Sequence, residues 1–79
     1  MELTDQEVVT KLGLQMKAIR KRKGMTQSNV ADKCDMEESA YRRVENAGTS
    51  PTLKTVLAIA RALDVSLLDL FEFLKYEES

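Results

Sequence analysis

Midway along the chain, Gly24 and Gly48 bracket a stretch in which Thr26 opens one short amphipathic segment, Asp35 interrupts it, and a second segment follows from about Glu37. Thr26 is a good N-cap, and Gln27 to Cys34 place Val30, Ala31 and Cys34 on one side of a helix of about two turns. Asp35 tolerates positive φ better than most non-glycine residues, so the chain can turn there, with Met36 as the buried connector. From about Glu37 to Asn46 a further helix presents Ala40, Tyr41 and Val44 inward and leaves Glu38, Ser39, Arg42, Arg43 and Asn46 on exposed faces, until Ala47-Gly48 stops it. Small or apolar residues stand where the two short helices must cross, namely Val30, Ala31, Met36 and Val44. The second helix therefore stands proud of whatever supports it.

The flanks supply that support. Thr4 with Glu7 is a capping-box pattern, and Val8, Leu12, Met16 and Ile19 recur at spacings of four, four and three, the stripe of one buried face. A first helix is expected from near Asp5 to Lys23, closed by Gly24 in the left-handed conformation of a helix C-terminus. Gly13 inside it costs about 1 kcal/mol relative to Ala; either another helix packs closely there or the first turns are loosely attached. Thr52 caps a fourth helix whose apolar face is Leu53, Val56, Leu57, Ala60 and Leu63, with Ile59 also inward. After a break at Asp64-Val65, Ser66 and Asp69 form another capping box ahead of a fifth helix reaching about Lys75. With no alternating strand pattern and no internal repeat, the expectation is an all-α fold of five helices, one domain over residues 1–79.

Several function classes fall away at once. One cysteine, Cys34, and no histidine leave no internal disulfide and no zinc, haem or Cys-His constellation, so no metal is expected; no cofactor is expected and no small-molecule ligand is evident from the sequence. Glu37 and Glu38 are neighbours in sequence and splay about 100° apart on a helix, so they cannot converge on one substrate; no catalytic residues are expected. No apolar run approaches the roughly 18 to 20 residues of a spanning helix, and Met1 to Thr10 lacks a signal-peptide pattern, so a soluble cytoplasmic protein with no membrane partner is expected. The net charge of −1 argues against a phosphate-backbone partner only as an average. Residues 11 to 61 hold eleven Lys/Arg against five Asp/Glu, whereas residues 1 to 10 carry −3 and residues 62 to 79 carry −4. A basic middle between acidic ends suits a nucleic-acid face in the middle, although solvated helix faces often cluster charge too.

A very short helix, a three- or four-residue turn and a second helix with polar side chains outward make a helix-turn-helix unit, a spacing that many αα-hairpins share. The wider sequence is similar to the lambda-repressor/Cro type of helix-turn-helix proteins, also called the xenobiotic response element family. The resemblance is carried by Leu12-Gly13, Ile19-Arg20, Gly24-Met25-Thr26-Gln27, Val30-Ala31, Met36, Tyr41, Val44-Glu45, Ser50-Pro51-Thr52-Leu53, Ile59-Ala60, Leu63, Val65-Ser66 and Leu70-Phe71. It covers residues 12–71 without an internal gap, leaving residues 4–11 as an N-terminal helix extension. It implies a five-helix DNA-binding domain and a transcriptional regulator of double-stranded operator DNA. The size resembles restriction-modification controller proteins, phage Cro-like regulators or antitoxins of this fold. Three departures stand out. Asp35 occupies the usual glycine of the inter-helix turn, Glu37 occupies the usual Ser/Thr cap of the recognition helix, and the glycine of Ala47-Gly48 comes one position late, which should lengthen the recognition helix or reshape the loop before Pro51.

The resemblance and the chemistry together nominate DNA-binding residues. Gln27 matches the family glutamine that approaches a phosphate, and Thr26 with free backbone N–H groups at a helix start can bind the same oxygen; the alternative is a plain cap beside a solvated amide. Arg42 is the first choice for base readout, because an arginine can bond guanine O6 and N7 together, with Arg43 beside it. Glu38 and Ser39 sit in the first turn, where a glutamate can accept from cytosine N4. For Glu37, complementing the helix dipole is the better reading. Asn46 matches a backbone-contacting position at the exit of the helix and serves equally as a structural helix end. Lys17, Arg20, Lys21, Arg22 and Lys23 spread around their helix, so only some can face DNA. Arg20 and Glu45 resemble the arginine and glutamate that tie the first helix to the third in this family.

Residues 66–76 carry more apolar area than one helix can bury on a small core. A two-fold homodimer is the economical cover, with Leu67, Leu70, Phe71, Phe73, Leu74 and Tyr76 as its interface and two recognition helices about one DNA turn apart on a pseudo-palindromic operator. The alternative is that this helix packs back on the first, where Val8 and Val9 wait. A rival of another class is a protein-interaction or antitoxin-like module that keeps the fold but binds a partner protein.

Overall fold

In a computed structural model, which describes residues 3–77 with the side chains of residues 76 and 77 outside the description, the chain forms six helical elements. They are α1 (Asp5–Arg22), α2 (Gln27–Lys33), α3 (Glu38–Glu45), α4 (Leu53–Leu63), α5 (Leu67–Leu70) and α6 (Leu74–Glu77). No described residue is in a strand, and among the described residues no helix is long and apolar enough to cross a membrane. α2 packs on α3 and α4, while α1 packs on α3 and α5 and α4 closes against α5. Tyr41, Met16, Ile19, Ile59, Leu63, Leu70 and Val30 are fully buried where these elements meet. Each such side chain stabilises the fold by about 1.5 to 3 kcal/mol relative to exposure.

The helices begin where side chains can satisfy their free N–H groups. Thr4 with Glu7, Thr26 with Asn29 and Ser66 with Asp69 close reciprocal capping boxes, and Thr52 accepts from the Thr55 N–H at 3.1 Å. Among α1 to α5, α3 is the exception: Glu37 holds extended backbone and makes no side-chain cap. Four helices end alike, with one left-handed residue at Gly24, Asp35, Ala47 and Asp64. Each ending is closed by a six-to-one hydrogen bond: Met25 N–H to Arg20 O, Met36 N–H to Ala31 O, Gly48 N–H to Arg43 O and Val65 N–H to Ala60 O. Met25, Met36 and Val65, the residues after three of these turns, pack on the core as the motif requires.

Ala47 explains the displaced glycine. α3 is not lengthened; it ends at Glu45, and Ala47 itself takes the left-handed position at φ 60°. Left-handed backbone costs a residue with a Cβ about 1 to 2 kcal/mol, whereas glycine adopts it freely at a larger entropic cost in the unfolded chain. Ala47→Gly should therefore raise stability by about 0.5 to 1 kcal/mol net, read as a higher thermal midpoint. An unchanged or lower midpoint would mean that the strain is relieved elsewhere.

Two expectations need correction here. The fifth helix is not continuous: it stops at Leu70, and Leu74 and Lys75 donate their N–H groups to Phe71 O and Glu72 O, i to i−3 bonds that tighten the chain into a turn before α6. Leu53 is on the apolar stripe of α4 but is 63% exposed, because the stripe runs past the edge of the core and ends at the rim of a shallow groove with Val8, Val9 and Pro51.

Candidate nucleic-acid interface

α3 is held from below by one buried carboxylate. Glu45, in the last turn of α3, has a side chain with no exposure, and Arg20 of α1 grips it from two nitrogens, Nε to Oε2 at 2.8 Å and Nη2 to Oε1 at 2.9 Å. The remaining arginine nitrogen, Nη1, donates to the Met25 carbonyl at 2.9 Å, so one side chain joins α1, α3 and the turn that leads into α2. Tyr41 Oη, one turn earlier on α3, donates to Glu45 Oε2 at 2.6 Å, and Gln27 Nε2 donates to Oε1 at 3.0 Å. Burial pushes the Glu45 carboxyl up, but the bonds from Arg20, Tyr41 and Gln27 outweigh it and hold the group below its ordinary 4.5. The Tyr41 phenol is pushed far above its ordinary range, first by burial and then by the carboxylate beside it. No buried side-chain polar atom is left without a partner among the described residues.

The opposite side of α3 is free. Glu38, Ser39, Arg42, Arg43 and Asn46 are all exposed, and at 3.6 residues per turn they span an arc of about 140°. Gln27 sits at the start of α2 on the border of this face, half-buried, with its two amide atoms used differently: Nε2 reaches inward to Glu45, and Oε1 accepts from Arg42 Nε at 3.2 Å. Arg42 Nη2 donates to Glu38 Oε2 at 2.9 Å, an i,i+4 pair with both side chains about half exposed. Thr26 departs from expectation. Its backbone N–H is not free but donates to Asn29 Oδ1 at 2.9 Å, while its hydroxyl accepts from the Asn29 N–H at 3.0 Å. Asn29 closes this box in the place where the usual pattern has Glu or Gln, which hid it in the sequence.

Of the residues nominated for self-association, Leu70 belongs to the chain's own core, with no exposure, and has no surface to offer a partner. Leu67, Phe71 and Phe73 pack partly on the same core, the two phenyl rings 6.0 Å apart, and Leu74 is half-buried. The Tyr76 side chain lies outside the described residues. Leu68, which the apolar stripe did not single out, is 82% exposed. The signal that finds it is its position on the outer side of the two buried-facing neighbours Leu67 and Leu70.

A short capped helix under a second helix, locked inside through Glu45 and polar outside, is the arrangement of a helix-turn-helix protein of the lambda-repressor/Cro type. The chain belongs to the HTH_3 (helix-turn-helix) family, whose profile matches residues 16–70; the family is one of DNA-binding transcription regulators rather than enzymes. It is 42% identical over 52 residues, 66% of its length, to an uncharacterised HTH-type transcriptional regulator of Bacillus subtilis (strain 168), YqaE, of which it spans 45%. Among solved structures it resembles the restriction-modification controller protein C.AhdI from Aeromonas hydrophila, with TM-score 0.78 and 28% identity over 80% of this chain and 96% of that one. It also resembles the controller protein C.Esp1396I, seen as a tetramer on its natural 35 base-pair operator, with TM-score 0.80 and 31% identity over 89% of this chain and 92% of that one.

Proposed function

We propose that this chain regulates transcription by binding double-stranded operator DNA as a homodimer, with α3 in the major groove. The observation that carries the reading is the two-sided construction of α3: Tyr41, Val44 and Glu45 are buried, while Glu38, Ser39, Arg42, Arg43 and Asn46 face outward as one polar surface. A groove about 12 Å wide admits such a helix, and phosphates on either side suit the basic middle of the chain. Arg42 is the leading base reader, and Ser39, Arg43 and Asn46 flank it. Gln27 and the first turn of α2, beside this surface, are the proposed phosphate contact, with Thr26 as the cap that fixes that turn through Asn29. The operator-bound tetramer of C.Esp1396I supports a multimeric mode, and the exposed Leu68 with the half-buried Phe71, Phe73 and Leu74 supports residues 66–76 as the self-associating surface. A pseudo-palindromic operator and action in the cytoplasm follow from that assembly and that partner.

The experiment is a titration of the protein against duplexes that it selects from a random pool, compared with unrelated duplexes, alongside sedimentation of the free protein. A mass about twice 8.9 kDa is expected. Arg42→Ala should lose about 1 to 3 kcal/mol on the selected operator and less on unrelated DNA. No selected sequence above background, or a monomer that stays monomeric on DNA, would overturn the reading.

A further inference from the structure

We propose that Glu38 is a positioning residue for base readout: together with Gln27 it sets the orientation of the Arg42 guanidinium, and it acts on DNA only through Arg42. The inference rests on the reading of α3 as the helix that enters the groove. An exposed arginine on a helix surface ordinarily samples many rotamers, and immobilising it on binding weakens the complex. Arg42 is already held at two nitrogens, by Glu38 at Nη2 and by the Gln27 carbonyl at Nε. The hold is anchored, because the other end of the Gln27 amide is bonded to the buried Glu45. A chain of hydrogen bonds thus runs from the Arg20–Glu45 pair in the core to Arg42 on the exposed face of α3.

What the two holds leave free matters as much. Both hydrogens of Nη1 and one of Nη2 have no acceptor among the described residues, and a guanine edge takes two such donors at O6 and N7. Glu38 also cancels its own repulsion for the phosphates locally, since its charge is paired. As an exposed i,i+4 pair it contributes little to stability, so its removal should leave the fold intact and change only the readout. The acidic residue at the start of a DNA-facing helix then has a use that neither helix-dipole complementarity nor direct contact with cytosine requires.

The test uses the full chain and four variants, Glu38→Ala, Glu38→Gln, Arg42→Ala and the double variant Glu38→Ala/Arg42→Ala, titrated against the operator selected by the wild type and against the same operator with the guanine changed in each half-site. Glu38→Ala should reduce discrimination between the two duplexes by about threefold to tenfold, the range that pre-ordering one long side chain covers, with an unchanged thermal midpoint. Glu38→Gln, which keeps an acceptor oxygen, should restore most of it. In the Arg42→Ala background the loss of Glu38 should change nothing. An equal loss in both backgrounds would show Glu38 reading a base itself, and a uniform gain on all DNA would show only charge repulsion; either result overturns the proposal. Equal losses on both duplexes for Arg42→Ala alone would instead remove the reading of Arg42, and the positioning role with it.

Discussion

Replacing Arg20 with methionine should destabilise the fold by about 3 to 5 kcal/mol, because it strips a buried carboxylate of its counter-ion. Glu45 has no exposed side-chain surface through which water could take over, and only Tyr41 Oη and Gln27 Nε2 would remain on it. The Met25 carbonyl would lose its donor as well. Against the 5 to 15 kcal/mol typical of a domain, a loss of this size is visible as a large drop in the urea midpoint. An unchanged midpoint would mean that the pair adds nothing net. Replacing both Arg20 and Glu45 with apolar residues of similar size should be milder than the single change, since no unpaired charge is left behind.

The Arg20→Met variant should lose less to acid than the wild type does. In the intact protein Glu45 holds its proton more weakly than in the unfolded chain, so its contribution is complete above the ordinary value of 4.5 and is lost as pH falls toward the lower folded value. Without Arg20 the burial that raises the folded value is opposed only by the bonds from Tyr41 and Gln27, so the folded value rises relative to the intact protein and protonation costs the folded state less. The stability gap between the two proteins should therefore narrow between pH 7 and pH 4. Because Gln27 bridges Glu45 to Arg42, the lesion also reaches the exposed face of α3 proposed to meet DNA, and Gln27→Ala would disturb the Glu45 shell as well as any proposed phosphate contact.

The parts of this fold that the sequence displays are the parts determined by near neighbours. Thr4 with Glu7 and Ser66 with Asp69 mark helix starts within four residues, and the stripe Leu12, Met16, Ile19 marks a buried face within two turns. Gly24 and Asp35 advertise left-handed turns through their backbone tolerance, whereas Ala47 does so by strain and is invisible to the same rule. Long-range pairing is different. Nothing in the 25-residue separation of Arg20 and Glu45 points one at the other; only the family resemblance suggested it, and it did not reveal that Tyr41 and Gln27 complete the carboxylate's shell. Apolar periodicity in residues 67–74 says that these side chains avoid water but not which surface covers them. Leu70 turned out to be covered from within, and Leu68 was left outside. On the exposed face of α3, the residue types of Arg42, Glu38 and Gln27 are legible in the sequence, while their mutual hydrogen bonds depend on how α2 crosses α3 and are not.

Gly13 gives the second large effect, and two rules oppose each other there. Helix propensity alone makes Gly13→Ala a gain of about 1 kcal/mol in the interior of α1. A Cβ at this position would run into the carbonyl oxygen of Glu45, and it would lie 3.0 Å from the Glu45 carbonyl carbon and 3.1 Å from Val44 O. These are backbone atoms at the end of α3, and Glu45 is fastened to α1 by its own side chain a few residues away, so they cannot swing aside as a flexible side chain would. Overpacking against such a wall costs about 1 to 3 kcal/mol or more, which exceeds the propensity gain. The close approach of two helices, rather than a loose first turn, is why α1 carries a glycine. Gly13→Ala should lower the urea midpoint and, by pushing α3 outward, weaken operator binding beyond the fraction unfolded. Gly48→Ala is the control: its Cβ would meet Arg43 O at 3.5 Å, an ordinary contact, without a left-handed backbone to strain it. Its stability should stay within about 0.5 kcal/mol of wild type. If Gly13→Ala were instead the more stable protein, as propensity alone predicts, then α1 and α3 would have room between them, and the docking of the recognition helix on Arg20 would have to be less rigid than these distances require.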